Sequence, residues 1–177
     1  VASDPGRSMS GGMQNPSRAQ VQHDVLGVSV QFMSSDFFDE VEQHFGTGAD
    51  PNYYDIRDII LCGPKARGFG RVCPSDGHMH CSYVDALDSC DAGLANIMLS
   101  WVWQYTVRTV VGAIMQWCKR TGRDQAHTFV WQCALCINQF RVEEKKAKNE
   151  SQSFDVFRDI FETRVRTIGH TLALLSP

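Results

Sequence analysis

The sequence predicts an α/β fold with about three parallel strands, preceded by a small helical region. Three observations predict it. The runs "ANIMLSWV" (95–102) and "HTFVWQCALCINQF" (127–140) are apolar and continuous, as in strands buried on both faces of a sheet. Each is followed by a stretch with apolar residues at helical spacing. A third short run, "HTLALL" (170–175), follows the second of these. The order strand, helix, strand, helix, strand gives a parallel sheet with right-handed crossovers.

The elements follow in chain order. Residues 1–33 open on a Ser, Gly, Pro and Asn-rich stretch and read as a disordered or loosely attached segment. Residues 34–93 read as short helices and loops. In "SSDFFDEVEQHFG" (34–46), Ser35 or Asp36 caps a helix, Gly46 ends it, and Phe37, Phe38, Val41 and Phe45 form its apolar face. In "DPNYYDIRDIILCGP" (50–64), Asp50 caps, Pro51 takes the first helical position, and Gly63-Pro64 stops the helix. "KARGFGRVCPSDGHMHC" is a loop, and a short helix in "SYVDALDS" follows it.

Residues 94–177 form the parallel α/β domain. Val107, Val110, Val111, Ile114, Met115 and Cys118 make one helical stripe, closed by Gly122. Phe154, Phe157, Ile160, Phe161, Val165 and Ile168 make another, capped by Ser153 and closed by Gly169. The N-terminus does not begin with Met and the far end stops on "LALLSP". Both ends read as a segment cut from a longer protein, with the domain truncated at its C-terminus.

Composition narrows the function. The 177 residues are 43% hydrophobic and 21% charged, enough for one domain with a core. The net charge of −3 and the mixed signs of "RVEEKKAKNE" (141–150) argue against a nucleic-acid partner. No apolar run reaches the ~18–20 residues of a membrane span. With no secretory signal, the seven cysteines read as reduced thiols of an intracellular, cytoplasmic protein.

Four constellations carry candidate chemistry. Ser100, Trp103, Gln104 and Tyr105 end the first strand, and Asn138 and Gln139 end the second. In open parallel sheets ligands bind beyond that end. There the aromatics stack on a flat ring while the amides and hydroxyls read its edge, or the tryptophans anchor the helix and the amides cap backbone groups. "SWVWQYTV" has no glycine, which argues against a dinucleotide or phosphate loop. Cys73, His78, His80 and Cys81 are zinc-ligand types, but their spacing fits no standard structural site, so no metal is assigned. Cys133 and Cys136, inside a predicted strand, would face opposite sides and give no redox pair. Glu143 and Glu144 are the acids that could reach the strand ends, although their charge run reads as solvated.

Two segments together carry a family resemblance. Leu99, Ser100, Trp101 and Trp103, followed by Trp131, Leu135, Cys136, Ile137, Asn138 and Gln139, resemble the paired motifs of the heterokaryon-incompatibility (HET) domain. Gln132 stands where that family has Asp. The longer stretch, roughly 50–176, looks like a group of uncharacterised proteins of protists, notably dinoflagellates. Cys73-Pro74, Asp76-Gly77, Ser82 to Leu87, and Phe157 to His170 match their pattern.

HET-like domains are relatives of the TIR fold, so the resemblance implies a flavodoxin-like, three-layer parallel sheet. It implies a signalling or immunity-like module that self-associates, as a homo-oligomer or with other protein subunits, or that binds a nucleotide. TIR-like enzymes cleave the nicotinamide–ribose bond of NAD, using a glutamate on a helix after the third strand. This chain stops just after its third strand, and no turnover is expected of it. The resemblance carries Ser100, Trp103, Tyr105, Asn138 and Gln139 as ligand-contacting positions. One rival is an NAD glycohydrolase whose acid is Glu143, Glu144 or a group from another chain. A second is a structural subunit of a larger assembly.

Overall fold

The computed structural model describes residues 24–150 and 154–175. The capping expected of Ser153 lies outside them, as does most of the segment expected to be loosely attached. The fold is mixed α/β around one open five-stranded sheet, not three strands. The strands are β1 (Leu26–Ser29), β2 (Ala92–Leu94), β3 (Ile97–Ser100), β4 (Phe129–Trp131) and β5 (Thr171–Ala173). Their order is β2-β1-β4-β3-β5. The three expected parallel strands are there, with β3 between β4 and β5. The two additional strands come from the region read as loose or helical, and both pair antiparallel.

Of the extra strands, β1 lies before residue 33 and β2 spans residue 93. "LGVS" is too short and too glycine-interrupted to show alternation, yet β1 lies inside the sheet between β2 and β4. Gly27 explains how it fits. A Cβ there would meet the Val130 carbonyl carbon at 2.8 Å and its oxygen at 2.9 Å. Opposite it, a Cβ on Gly93 would press into the Phe129 ring. Both glycines permit a backbone approach that a side chain would block.

The helices are α1 (Val30–Ser34), α2 (Asp36–Phe45), α3 (Tyr53–Ile56), α4 (Val107–Thr121), α5 (Cys133–Cys136), α6 (Gln139–Ala147) and α7 (Phe154–Ile168). A π-helical turn, Arg57–Leu61, continues α3, and Val84–Ala86 is a 3-10 turn. The expected helix at 50–64 is therefore shorter and starts later. Asn52, not Asp50, caps it, in a reciprocal box with Asp55. Asp50 instead accepts from the Arg108 backbone N–H at 3.2 Å. The α4 boundaries match the spacing: Thr106 accepts from the Thr109 N–H, and Gly122 closes the helix in the left-handed region.

The largest departure is at 127–140. Only Phe129–Trp131 is strand. At Cys133 the chain turns into α5, and Asn138 then caps α6. The run is apolar because α5 is buried as well, with Ala134 and Leu135 fully enclosed. Periodicity does not separate a buried strand from a buried helical turn over so few residues.

Register settles the layers. Ile97 faces Val130 and Met98 faces Trp131 across the parallel pair. Side chains alternate, so Ile97, Leu99 and Val130 point to one face, where Val107, Val110, Val111, Ile114 and Cys118 of α4 share their core. Trp131 points to the other face and meets Phe161 of α7 edge-on at 5.7 Å. Helices thus cover both faces. No helix among the described residues is long and apolar enough to cross a membrane.

Gly27→Ala is expected to destabilise the fold by ~1–3 kcal/mol, because the added methyl meets main chain that cannot rotate away. Urea unfolding of the two proteins checks this, and an unchanged midpoint would contradict the close approach.

Candidate functional site

The candidate site lies at the carboxyl ends of β3 and β4. After Ser100 the chain turns through Trp101 and Trp103, and this turn is zipped to the start of α3. Tyr53 N–H donates to the Trp103 carbonyl at 3.1 Å, and Val107 N–H to the Pro51 carbonyl at 2.9 Å. Asn52 and Thr106 form an antiparallel bridge. These backbone links fix the indoles against α3. Trp101 packs on Tyr53 at 4.2 Å, Trp103 on Tyr54 at 5.4 Å, and the two indoles lie nearly parallel, 6.1 Å and 14° apart.

Beyond β4, the α5 turn brings Cys133, Ile137 and Gln139 to the same place. Together with Phe157 and Phe161 of α7 they close a cleft of about 350 Å³. Tyr54 and Arg57 line it from α3 and the π turn, and Val142 and Lys146 from α6. Single π-helical turns are frequent at functional sites, and this one aims Arg57. Arg57 Nε and Nη2 grip the two Asp58 oxygens at 2.7 and 3.0 Å. Lys146 Nζ donates to Glu143 Oε1 at 2.6 Å.

The cleft is backed by buried polar groups. Tyr53 Oη, Trp101 Nε1 and both ends of the Gln132 amide are enclosed without a well-formed hydrogen bond. The Tyr53 hydroxyl does feel the Gln132 amide, but burial dominates and pushes the phenol well up, so it stays a donor. Such groups in one corner are costly, at roughly 1–3 kcal/mol each. Burial also pushes up the thiols of Cys133 and Cys136, despite the indole N–H groups of Trp103 and Trp101 beside Cys133. The two cysteines share one helical turn rather than opposite faces of a strand. Their thiols stay protonated, which disfavours thiolate chemistry.

The six residues expected at one rim are divided. Trp103 and Gln139 line the cleft. Gln104 and Tyr105 line a different hollow with Thr109, Leu174 and Leu175. Ser100 uses its carbonyl to accept from Leu174 N–H at 2.9 Å. Asn138 does not end a strand: its Oδ1 accepts from the N–H groups of Phe140 and Arg141, and its Nδ2 donates to the His80 carbonyl at 2.9 Å. Gln139 Nε2 donates to the Cys133 and Ile137 carbonyls. The amides thus hold backbone groups, and aromatic rings dominate the cleft wall.

The Cys/His loop is organised around Arg141. Its guanidinium binds Asp76 at 2.7 Å and the carbonyls of Met79 and His80. Cys73 and Cys81 are buried with Ala86 in a small apolar cluster. His80, at φ 71°, lies between Phe69 and Phe140, and its Nδ1 accepts from Gly70 N–H at 2.9 Å. His78 is exposed. Among the described residues no three His, Cys, Asp or Glu side chains are arranged to hold a metal ion. Glu144 pairs with Arg141 and faces this loop, away from the cleft.

Tyr54, Arg57 and Lys146 line the cleft without any signal in spacing or motif that assigns them a ligand, while Cys133 enters it from the CxxC turn and Phe157 and Phe161 from the apolar stripe of α7. The adjacent aromatics of "NYYDIR" mark only the neighbourhood of the first two. No family model, curated protein or solved structure matches the chain.

Arg141 holds the Asp76 carboxyl at about 2, below its usual value. A carboxyl depressed on folding adds stability above its unfolded pKa of ~3.9 and loses it as pH falls towards 2. Asp76 is one-third exposed, so solvent screening limits the pair to less than ~1 kcal/mol. Asp76→Asn is expected to lower stability at pH 7 and to match the parent near pH 2, as read by urea unfolding across that range. A loss of equal size at both pH values would contradict the pairing.

Proposed function

We propose that the chain is a signalling-type binding module of the TIR-like, HET-like kind, which holds a nucleotide-class ligand in the β3/β4 cleft and does not turn it over. One observation carries this reading: a stacked indole pair, further rings and two cationic side chains converge on a single cleft at the carboxyl ends of parallel strands. Flat π faces take a base by stacking, and the cations suit a phosphate. The strand order β4-β3-β5 adds support, because α4 and α7, the helices that follow β3 and precede β5, pack on opposite faces of the sheet. A flavodoxin-like arrangement of the parallel half belongs to the same proposal. Self-association would use the short edge strands β2 and β5, near which Leu94 and Leu175 are exposed.

A second reading, hydrolysis of NAD at the nicotinamide–ribose bond, is favoured by the position of Glu143. Its carboxylate pairs with Lys146 and stands 3.8 Å from Arg57, both of which line the cleft. That carboxylate is already engaged by cations, so its oxygen is turned to Lys146 and Arg57. Glu144 has no place in this reading.

Trp103→Ala is expected to weaken adenosine binding about tenfold, given that base–aromatic stacking is worth roughly 1–3 kcal/mol. Calorimetry with the purified chain measures it. Unchanged affinity would remove the indole from the ligand's site. Incubation with NAD should release no nicotinamide on chromatography. Release abolished by Glu143→Gln would establish the enzyme instead.

A further inference from the structure

The cations of the cleft converge on one atom. Lys146 Nζ meets Glu143 Oε1 at 2.6 Å, and Arg57 Nη1 stands 3.8 Å from the same oxygen. Asp58 takes the Arg57 Nε and Nη2 edge, which leaves Nη1 to turn towards Glu143. Arg57 and Lys146 line the cleft beside the stacked indoles of Trp101 and Trp103. A carboxylate oxygen therefore occupies the point at which an anionic group would be received.

We propose that Glu143 is a resident competitor: the cleft takes a planar aromatic ligand bearing a phosphate, and that phosphate must displace the Glu143 carboxylate from Lys146 and Arg57. This rests on the reading of the cleft as a nucleotide-class site. Glu143 sets the threshold for anionic ligands and leaves neutral ring ligands unaffected. The mechanism is electrostatic exchange. Glu143 and Lys146 are both partly exposed, so their pairing is weak enough to be replaced by a doubly charged phosphate. The Arg57–Asp58 pair stays intact throughout and keeps the guanidinium oriented. Opposite roles for Glu143 make opposite predictions: a catalytic acid is lost on neutralisation, whereas a competitor releases affinity.

The test is calorimetric titration of the full chain with ADP, adenosine and inorganic phosphate, for the parent, Glu143→Gln, Lys146→Gln and the double variant. Glu143→Gln should bind ADP about three- to tenfold more tightly and adenosine equally well. The gain should shrink as salt rises and should vanish in the double variant. Inorganic phosphate alone should bind more weakly than ADP in every variant. Thermal melting separates this from a structural effect, which would move ADP and adenosine together with Tm. Unchanged or weaker ADP binding by Glu143→Gln, with the parent still binding adenosine, overturns the competitor and leaves the ligand site standing. No binding of adenosine or ADP by either protein overturns both.

Discussion

The parallel pairing of β3 with β4 is the constraint on which the rest depends. Its register, Ile97 against Val130 and Met98 against Trp131, fixes which side chains face α4 and which face α7. It also points both strands the same way, so the turns after them emerge side by side. Trp101 and Trp103 meet Cys133, Ile137 and Gln139 for that reason alone. A one-residue slip would exchange the faces and would send Val130 to α7 and Trp131 into the α4 core.

The corner where these turns meet is organised differently from the main core. Around α4 the packing is apolar and fully enclosed, from Val28 through Ile97, Leu99 and Ile114. At the strand ends the fold encloses a phenol, an indole N–H and a carboxamide with no partners of good geometry. The first region supplies the burial that stabilises the domain, and the second carries a local cost. Backbone hydrogen bonds between the β3 turn and the start of α3 hold that corner in place. Rings and cations from α3, the π turn, α6 and α7 are thereby presented on a fixed scaffold.

Asn138 and Arg141 play a parallel part on the neighbouring side. Asn138 caps α6 and reaches the His80 carbonyl, and Arg141 binds Asp76 and two loop carbonyls. The glycine-rich loop, without regular structure of its own, is thus tied to the first turn of α6. This is why cysteine and histidine types that suit a metal on paper serve packing and hydrogen bonding here. Cys73 and Cys81 pack with Ala86, the Cys73 thiol meets the Ser75 hydroxyl at 3.0 Å, and the His80 ring stacks between Phe69 and Phe140.

Local signals by themselves determined the α/β class, the helices α2, α4 and α7, their glycine stops, and the proximity of the two strand-end segments. Each of these depends on spacing or on a cap within a few residues, such as Thr106 and Gly122 around α4. Only the tertiary structure decided that "LGVS" is an inner strand, that "CALC" is helical, and that Asn138 caps rather than ends an element. The physical reason is common to all three. A short apolar stretch satisfies strand and helix alike, and the choice falls to whichever partners lie across from it: the Val130 backbone against Gly27, and the packed core around Ala134 and Leu135. The cleft's cations were hidden for the same reason, because Arg57 and Lys146 are 89 residues apart in sequence and are joined only by the folded chain.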